Sequence, residues 1–254
     1  MERVTLQREN IYTGNLILVN RAYGYAGEGA EDLEPVFRDS PDILIRRRAA
    51  RLLDRLMGKM NGWRKIVPVS GWRSGKEQRE IWDHSLAQSG REFTEKFVAY
   101  PGHSEHQTGL AIDLGLKQEN IDFICPDFPY EGICQLFRQK AVEYGFIERY
   151  PSGKEEITGI GHEPWHFRYV GVPHAGIMTQ ENLTLEEYIS FLKRFPYGRK
   201  AYSFDGNGVR VRVSFLEAEQ GETTVFEVDG EYPYTVSGNN VDGFILTQYG
   251  TKGN

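Results

Sequence analysis

Apolar residues recur at helical spacing in the first third of the chain. The stripe consists of Ile45, Ala49, Leu52, Leu53, Leu56 and Met57. Ser40-Pro41-Asp42 precedes it and combines a capping serine, a proline suited to the first helical position and an acidic residue for the first turn. We therefore expect the helix to begin there. Asn61-Gly62 follows the stripe and predicts its end.

Three later segments also favour helices: Gly75 to about Gln88, Glu131 to Tyr144, and Leu185 to about Phe195. Ser89-Gly90 is expected to end the first of them, which leaves residues 91–103 as a connecting region. Thr184 and Glu187 have the spacing of a capping box and predict where the last helix begins.

Strand patterns lie in the middle and at the end of the chain. Residues 109–116, Gly-Leu-Ala-Ile-Asp-Leu-Gly-Leu, are too short for a convincing helix and predict a buried strand with Asp113 at its far end. After Pro196, strand-like runs occur at 210–215, 224–228, 234–236 and 244–246, separated by turns at 205–208, 229–230 and 237–240. The pattern predicts an α+β fold. Helices pack on a small antiparallel sheet in residues 1–197, and a β-rich appendage follows at 198–254.

Composition and charge narrow the class of protein. The 254 residues carry a formal net charge of −6, which argues against a nucleic-acid or anionic-membrane surface. The basic run Arg46-Arg47-Arg48 is expected to be a solvated helix face. The appendage has no histidine, and a stabilising or dimerising role is a simpler hypothesis for it than ligand recognition.

The N-terminal sequence and the low cysteine content favour a reducing compartment. Residues 1–8 lack the apolar core of a signal peptide, and no apolar run is long enough to cross a membrane. Cys125 and Cys134 are too sparse for a disulfide scaffold, so we expect free buried thiols. These features predict a cytoplasmic protein.

Three short motifs supply the parts of a metal-hydrolase site. They are Ser-Gly-Trp-Arg-Ser at 70–74, Ser-Glu-His-Gln-Thr-Gly-Leu-Ala-Ile-Asp at 104–113, and Glu-Pro-Trp-His at 163–166. The candidate ligands are His106, Asp113 and His166, with Glu163 as a free carboxylate and Arg73 as a cation. Three protein ligands with an open fourth position are what a catalytic zinc requires. The pair His106 and Asp113 alone would be explained more simply as an ordinary histidine and a strand-end aspartate. The combination favours the metal.

The third motif also satisfies the zincin pattern His-Glu-x-x-His at 162–166, which requires a helix. Pro164 lies inside that turn, lacks an amide donor and biases Glu163 away from helical geometry. We therefore predict a loop that runs into a strand, with His166 but not His162 as a ligand. His84 and His174 are expected to be ordinary histidines, and His103 is expected to be a loop residue or a residue that supports the ligands without binding the metal.

With these motifs the sequence resembles the D-alanyl-D-alanine metallopeptidase family of VanY, VanX and VanXY. It is most similar to the VanXY type, the combined D,D-dipeptidases and D,D-carboxypeptidases of inducible vancomycin resistance. The resemblance spans about residues 14–195, and the tail beyond has no counterpart in it. It implies a hedgehog-like fold and one zinc ion per chain, bound by His106, Asp113 and His166.

The resemblance also assigns roles around the metal. Glu163 is the implied general base, and Arg73 stabilises the developing negative charge. Gln78, Ser104 and Trp165 match positions that line the substrate pocket. The implied substrates are D-Ala-D-Ala and the UDP-muramyl pentapeptide, because a cytoplasmic enzyme reaches only soluble precursors. A homodimer through the C-terminal β region is a further expectation.

Two alternative functions remain open at this point. One is a phage-type endolysin that cleaves the L-alanyl-D-glutamate bond, with the β tail as a wall-binding module. The other is a non-catalytic, hedgehog-like module in which zinc is structural. The presence of Glu163 and Arg73 counts against the second alternative.

Overall fold

The computed structural model describes residues 1–27, 30–206 and 208–250. Its strands are β1 (Glu2–Gln7), β2 (Leu33–Phe37), β3 (Ser40–Arg46), β4 (Ile66–Ser70), β5 (Ala111–Leu116), β6 (Phe146–Tyr150), β7 (Glu163–Tyr169), β8 (Tyr202–Gly206), β9 (Val209–Glu217), β10 (Thr223–Val228), β11 (Tyr234–Gly238) and β12 (Gly243–Tyr249). Its α-helices are α1 (Arg47–Met60), α2 (Gly75–Phe97), α3 (Gly132–Ala141), α4 (Glu155–Thr158), α5 (Val172–Glu181) and α6 (Leu185–Leu192). The predicted α+β class is confirmed.

The contacts divide the chain into two compact units, and the larger one comprises residues 19–171. Its centre is a four-stranded antiparallel sheet in the order β4-β5-β7-β6. Strand β5 is almost wholly buried, as its continuous apolar sequence predicts. Helix α1 packs against the β2–β3 hairpin through a buried face that contains Ala49, Leu53 and Met57. These elements support the strands that carry the metal-site motifs.

The expected helix start at Ser40-Pro41-Asp42 is wrong. Residues 40–46 form strand β3, paired with β2, and the helix begins at Arg47. Pro41 and Asp42 suit a helix start locally, but the pairing in the hairpin determines the conformation here. The predicted end is confirmed, because Asn61 adopts the left-handed conformation (φ 57°) that closes a helix.

The basic run at 46–48 is not simply a solvated face, which corrects that expectation. Arg46 lies at the end of β3, and its guanidinium donates a hydrogen bond to the carbonyl of Thr108 at 2.8 Å. Arg48 donates to the hydroxyl of Tyr169 at 3.1 Å. Two of the three arginines therefore link the hairpin and helix to the site loop and to the central sheet.

The second helix was predicted to stop at Ser89-Gly90, and the structure agrees in part. Gly90 is non-helical (φ 78°, ψ 174°) and interrupts α2, but helical structure resumes and continues to Phe97. The region expected to connect from residue 91 is therefore half helical. A glycine with positive φ introduces a kink here without ending the element.

Residues 1–18 and 172–254 form the second unit. A four-stranded sheet in the order β11-β12-β9-β8 and the separate β1–β10 ribbon are both antiparallel. All four strand-like runs predicted after Pro196 lie in β9, β10, β11 and β12. Asn207 of the predicted 205–208 turn is outside the described residues. The sequence did not reveal that β1 pairs with β10. The predicted boundary at residue 197 stays a prediction, while the contacts group α5 and α6 with the later strands.

His174 of α5 is buried within this second unit. Its ring Nδ1 lies 2.8 Å from the Tyr188 hydroxyl and its Nε2 lies 3.2 Å from the Thr247 hydroxyl. Burial lowers the pKa of His174 to about 3 from 6.5. Its ordinary role outside the metal site agrees with the expectation from the sequence.

This depressed pKa predicts acid sensitivity. Because the folded-state pKa lies below the unfolded value, the contribution of neutral His174 is complete above pH 6.5 and is lost as the pH falls toward 3. The slope from one proton is about 1.4 kcal/mol per pH unit. In His174→Gln, thermal unfolding measured from pH 7 to 4 should depend less steeply on pH. The exposed His84 provides the control, and an equal change in slope in His84→Gln would contradict the assignment.

The cysteines and the helices bear on the remaining expectations from the sequence. Both cysteines are free, with Cys134 buried and Cys125 half-buried. Among the residues that the structure describes, no helix combines the length and apolar character needed to cross a membrane.

Candidate metal centre

Two of the three predicted ligands are cross-strand partners in the central sheet. Asp113 of β5 pairs directly with His166 of β7. Their side chains point to the same face, because paired residues in an antiparallel sheet share a side. Asp113 lies in the middle of β5 rather than at its far end, which corrects the expected position.

Glu163 reaches the same site through an irregularity in β7. Regular alternation would place residues 163 and 166 on opposite faces of the strand. The register between β6 and β7 shifts between the pairs Glu148–Phe167 and Tyr150–Glu163, at the position of Pro164. The shift brings a carboxylate oxygen of Glu163 to 3.8 Å from Nδ1 of His166. Such bulges commonly re-aim side chains next to active sites.

The third ligand, His106, lies in a short 3-10 helix at Glu105–Thr108 that enters β5. Gly109 closes this turn with a φ of 68°, and a Cβ there would lie 2.9 Å from side-chain carbons of Ala30 and Leu33. Glycine is therefore required by both conformation and space. The predicted glycine turn between His106 and Asp113 is confirmed.

The three candidate side chains converge on one point. His106, Asp113 and His166 are all buried, and their potential ligand atoms lie within 4.8 Å of one another. Nε2 of His106 is 3.1 Å from one Asp113 oxygen, and Nδ1 of His166 is 2.8 Å from the other. With metal–ligand bonds of about 2.0–2.2 Å, the donors of a tetrahedral site are spaced about 3.4 Å apart. Two imidazoles and a carboxylate without cysteine form a donor set of the kind that zinc takes.

Each histidine has an acceptor group facing its other ring nitrogen. Nδ1 of His106 lies 2.7 Å from the carbonyl of Gly71, which leaves Nε2 as the lone-pair donor. A Cβ at Gly71 would lie 2.2 Å from the carbonyl oxygen of Leu44, so only glycine allows this approach. Nε2 of His166 lies 3.5 Å from Oε2 of Glu105. Neither of these two buried atoms has a hydrogen-bond partner among the described residues. A metal on Nδ1 of His166 would place the ring proton on Nε2, where Glu105 can accept it.

Glu105 belongs to a buried ion cluster that the sequence analysis missed. Its carboxylate accepts hydrogen bonds from Arg149 at 2.8 Å and Arg168 at 2.7 Å, and all three side chains are fully buried. Burial alone would raise the pKa of Glu105, but the two guanidinium groups outweigh it and hold the pKa well below its usual range. The available signal was charge within buried strands, since Arg149 and Arg168 interrupt apolar segments.

The pKa values of the three candidate ligands are shifted because these side chains are buried close together. Burial lowers the pKa of His106 to about 4, and the nearby Arg73 adds to this effect. Burial also disfavours the charged form of His166, but hydrogen bonding and attraction to Asp113 prevail and raise its pKa to about 9. The pKa of Asp113 is held well below its usual range by the two histidines despite burial. Near neutral pH the proton on His166 therefore balances the charge of Asp113, and a metal ion on Nδ1 of His166 would take the place of that proton.

Glu163 is the buried acid beside the ligand group. Burial raises its pKa to about 8, and attraction to His166 offsets this only in part. A carboxylate with its pKa near neutrality is suited to accept and return a proton. This behaviour distinguishes Glu163 from Asp113, whose pKa is shifted in the opposite direction.

Arg73 is held in place at the edge of the ligand group. It donates to Asp113 at 2.9 Å, to the Ser70 hydroxyl at 2.7 Å and to the Gln78 carbonyl oxygen at 3.3 Å. Gln78 is fully buried, and its amide nitrogen donates to the carbonyl of Ala99 at 2.8 Å. Gln78 therefore positions Arg73. The direct contact of Gln78 with substrate stays a prediction.

Ser104 and Trp165 lie with the ligands along one small cavity of about 30 Å³. The Ser104 hydroxyl accepts a hydrogen bond from the backbone amide of His106 at 3.3 Å and caps the 3-10 helix. Trp165 forms an apolar wall, as expected, with its ring centroid 6.5 Å from that of Phe97. The space suits an ion and a water molecule, which needs roughly 10–15 Å³.

His162 is directed away from the ligand group. Its Nε2 lies 2.7 Å from the Tyr130 hydroxyl and 3.7 Å from Glu148, and its ring stacks on that of Tyr130. The segment is a strand from Glu163 onward, not a helix. The prediction of a loop running into a strand is confirmed, and the zincin geometry is absent from this segment.

The fold brings together a candidate metal site of two imidazoles and one carboxylate beside a buried acid, which is the arrangement of a metallohydrolase. The sequence matches the family VanY, D-alanyl-D-alanine carboxypeptidase, over residues 42–172. It is 49% identical over 152 residues to the bifunctional D-Ala-D-Ala dipeptidase and D-Ala-D-Ala carboxypeptidase VanXYC of Enterococcus gallinarum, which covers 59% of this chain and 80% of the relative. The chain belongs to the VanY family of D-alanyl-D-alanine carboxypeptidases.

Solved structures extend the similarity. The D,D-dipeptidase VanXYg, in complex with a D-Ala-D-Ala phosphinate analogue, matches with a TM-score of 0.94 and 46% identity over 98% of each chain. A VanY D,D-pentapeptidase mutant from a VanB-type resistance cassette, in complex with Zn(II), matches with a TM-score of 0.59 and 32% identity over 69% of this chain and 98% of that one. The first match covers the C-terminal β region, which was expected to have no counterpart.

Proposed function

We propose that this protein hydrolyses D-Ala-D-Ala and removes the terminal D-Ala from muramyl-pentapeptide precursors, with one zinc ion per chain. The observation that carries the proposal is the convergence of His106, Asp113 and His166 beside Glu163, a buried carboxylate outside the ligand group. The similarity to VanXYC and VanXYg, which act on or bind D-Ala-D-Ala compounds, supports the substrate.

His106, Asp113 and His166 would hold the zinc, which supplies Lewis-acid polarisation of the scissile carbonyl and acidifies water. Glu163 accepts one proton from the attacking water and passes it to the departing amine of the terminal D-Ala. The water oxygen forms a bond to the carbonyl carbon, and the carbon–nitrogen bond breaks. The depth of Glu163 in the site keeps bulk water away from this proton transfer.

Arg73 stabilises the negative charge that develops on the carbonyl oxygen, a contribution of about 3–4 kcal/mol in enclosed sites. Ser70 and Gln78 hold the guanidinium in a fixed orientation, so little reorganisation is needed during the reaction. Ser104 and Trp165 orient the peptide at the wall of the cavity.

The two alternatives have less support. A non-catalytic module needs no second buried carboxylate beside the ligands, whereas Glu163 is buried there and lies outside the ligand group. The endolysin hypothesis assigned wall binding to the β tail, but the match to a D,D-dipeptidase covers 98% of this chain, the tail included. The cytoplasmic location and the homodimer stay predictions.

The deciding experiment is amine release from D-Ala-D-Ala by zinc-loaded protein. We expect release of free D-Ala from the dipeptide and from the pentapeptide precursor, and its loss after chelation followed by recovery with zinc. Purified cell wall serves as the comparison substrate. Cleavage of L-alanyl-D-glutamate bonds in wall, with the dipeptide untouched, would favour the endolysin instead.

A further inference from the structure

A second cavity of about 480 Å³ adjoins the metal site. Helix α2, the segment 98–103, residues 20–21 and the loop at 158–160 form its walls. Four residues, Val98, Ala99, Tyr150 and Ile160, line both this cavity and the one at the metal ligands. The larger cavity, called here the side groove, therefore lies directly beside the candidate metal site.

Aromatic rings form one wall of the side groove. Trp82 and Tyr100 meet edge to face with centroids 5.3 Å apart, and Tyr100 lies 6.0 Å from the ring of His103. Nδ1 of His103 is 2.8 Å from the carbonyl oxygen of Asn20, which fixes that ring. Tyr100 is 52% exposed, so an aromatic face remains available to a ligand. Fixed aromatic faces beside polar groups are typical of ligand sites.

The charged residues of the side groove favour an anion. Arg21 and Arg91 contribute two positive charges, against one negative charge from Glu95. Arg91 and Glu95 are 3.1 Å apart on the second half of α2, after the interruption at Gly90. Because both arginines are exposed, they remain accessible to a carboxylate that enters from solvent.

We propose that the side groove binds the peptide that precedes the D-Ala-D-Ala terminus in longer substrates. The aromatic wall would contact the peptide chain. Arg21 and Arg91 would bind the carboxylate of its D-glutamate residue. The inference rests on the proposed function and deepens it. Only the amino side of the scissile bond can continue outward, because the terminal D-Ala ends the substrate. Three further residues extend about 10 Å, at 3.3–3.6 Å per residue.

This placement separates the two activities of one active site. On this proposal, the short D-Ala-D-Ala dipeptide occupies the metal site and does not extend past the residues shared by both cavities. Trp82 and Arg91 line the side groove alone, so they contact only a longer peptide. They are specificity-determining residues for the carboxypeptidase reaction and should have little effect on the dipeptidase reaction.

The test compares D-Ala-D-Ala with the pentapeptide L-Ala-γ-D-Glu-L-Lys-D-Ala-D-Ala, using the full-length zinc-loaded protein. In Trp82→Ala, KM for the pentapeptide should rise about tenfold, as for loss of an aromatic anchor. In Arg91→Glu it should rise about three- to fivefold, as for an exposed ion pair replaced by repulsion. Both variants should keep kcat/KM for the dipeptide within about twofold. Arg79→Glu is the matched control, because Arg79 is exposed on the same helix but lines neither cavity.

Two further comparisons keep the inference testable. Trp82→Phe retains an aromatic face and should recover most of the pentapeptide affinity, whereas a folding defect would reduce both reactions together. Amidation of the D-glutamate carboxylate should remove most of the effect of Arg91→Glu. Equal losses on both substrates, or an unchanged KM for the pentapeptide in both variants, would overturn the inference.

Failure of the proposed function gives a different result. A wild-type protein that hydrolyses neither peptide would remove the proposed activity itself. Calorimetric titration would then test the side groove alone. Pentapeptide affinity should still fall in Trp82→Ala and remain unchanged in Arg79→Glu, and equal pentapeptide affinity in wild type and Trp82→Ala would overturn the groove assignment.

Discussion

Replacing His166 with alanine is expected to remove the metal from the protein and to lower D-Ala-D-Ala turnover by about 10⁴-fold or more, because polarisation of the carbonyl and activation of water are lost together. His106→Ala should have the same effect. Each substitution removes one of three ligands and leaves only one imidazole beside Asp113. Metal content after dialysis, measured by elemental analysis, provides the direct readout. Wild-type protein should retain one zinc ion per chain.

His162→Ala is the matched control for this experiment. It lies four residues before His166 and would be the other ligand in a zincin, but its ring stacks on Tyr130 and its Nε2 lies 2.7 Å from that hydroxyl. We expect this variant to retain its metal and most of its activity. Loss of zinc from His162→Ala, with zinc retained in His166→Ala, would show that the zincin arrangement operates after all.

The ligand set was predictable because its determinants are local. Pro164 excludes a helix at 162–166 from the sequence alone, and Gly109 supplies the turn that separates His106 from strand β5. The direct pairing of Asp113 with His166 was not predictable, since strand register depends on the whole sheet. The sequence therefore predicts which side chains are candidate ligands, while the sheet determines how they meet.

The environment of the ligands depended on contacts distant in sequence. Glu105 lies next to His106, but its partners Arg149 and Arg168 are 44 and 63 residues away. A local pattern cannot reveal that a charged residue is buried when its compensation comes from other strands. The same limit explains the missed pairing of β1 with β10, because the two strands lie far apart in the sequence. At Ser40-Pro41-Asp42 the local signal was present, but hairpin pairing prevailed over it.

Substitution of Glu163 is expected to separate metal binding from catalysis. Glu163→Gln keeps the size of the side chain but cannot accept a proton from water, so turnover should fall about 10²–10⁴-fold. Zinc content and affinity for D-Ala-D-Ala should stay near wild type, because the Glu163 carboxylate lies outside the ligand group. A steady-state assay on D-Ala-D-Ala, combined with elemental analysis, measures both properties in one preparation.

The control for Glu163→Gln is the same substitution at the exposed Glu156, which lies seven residues earlier and outside the cavity. Glu156→Gln should leave turnover within about twofold of wild type, as expected for a surface change. Wild-type turnover in zinc-loaded Glu163→Gln would refute its role as the base. The raised pKa of Glu163 would then reflect its burial, with a smaller effect of the Asp113 carboxylate, and not a catalytic role. A loss of turnover with zinc retained would assign the proton transfer to Glu163 and leave His106, Asp113 and His166 with the metal.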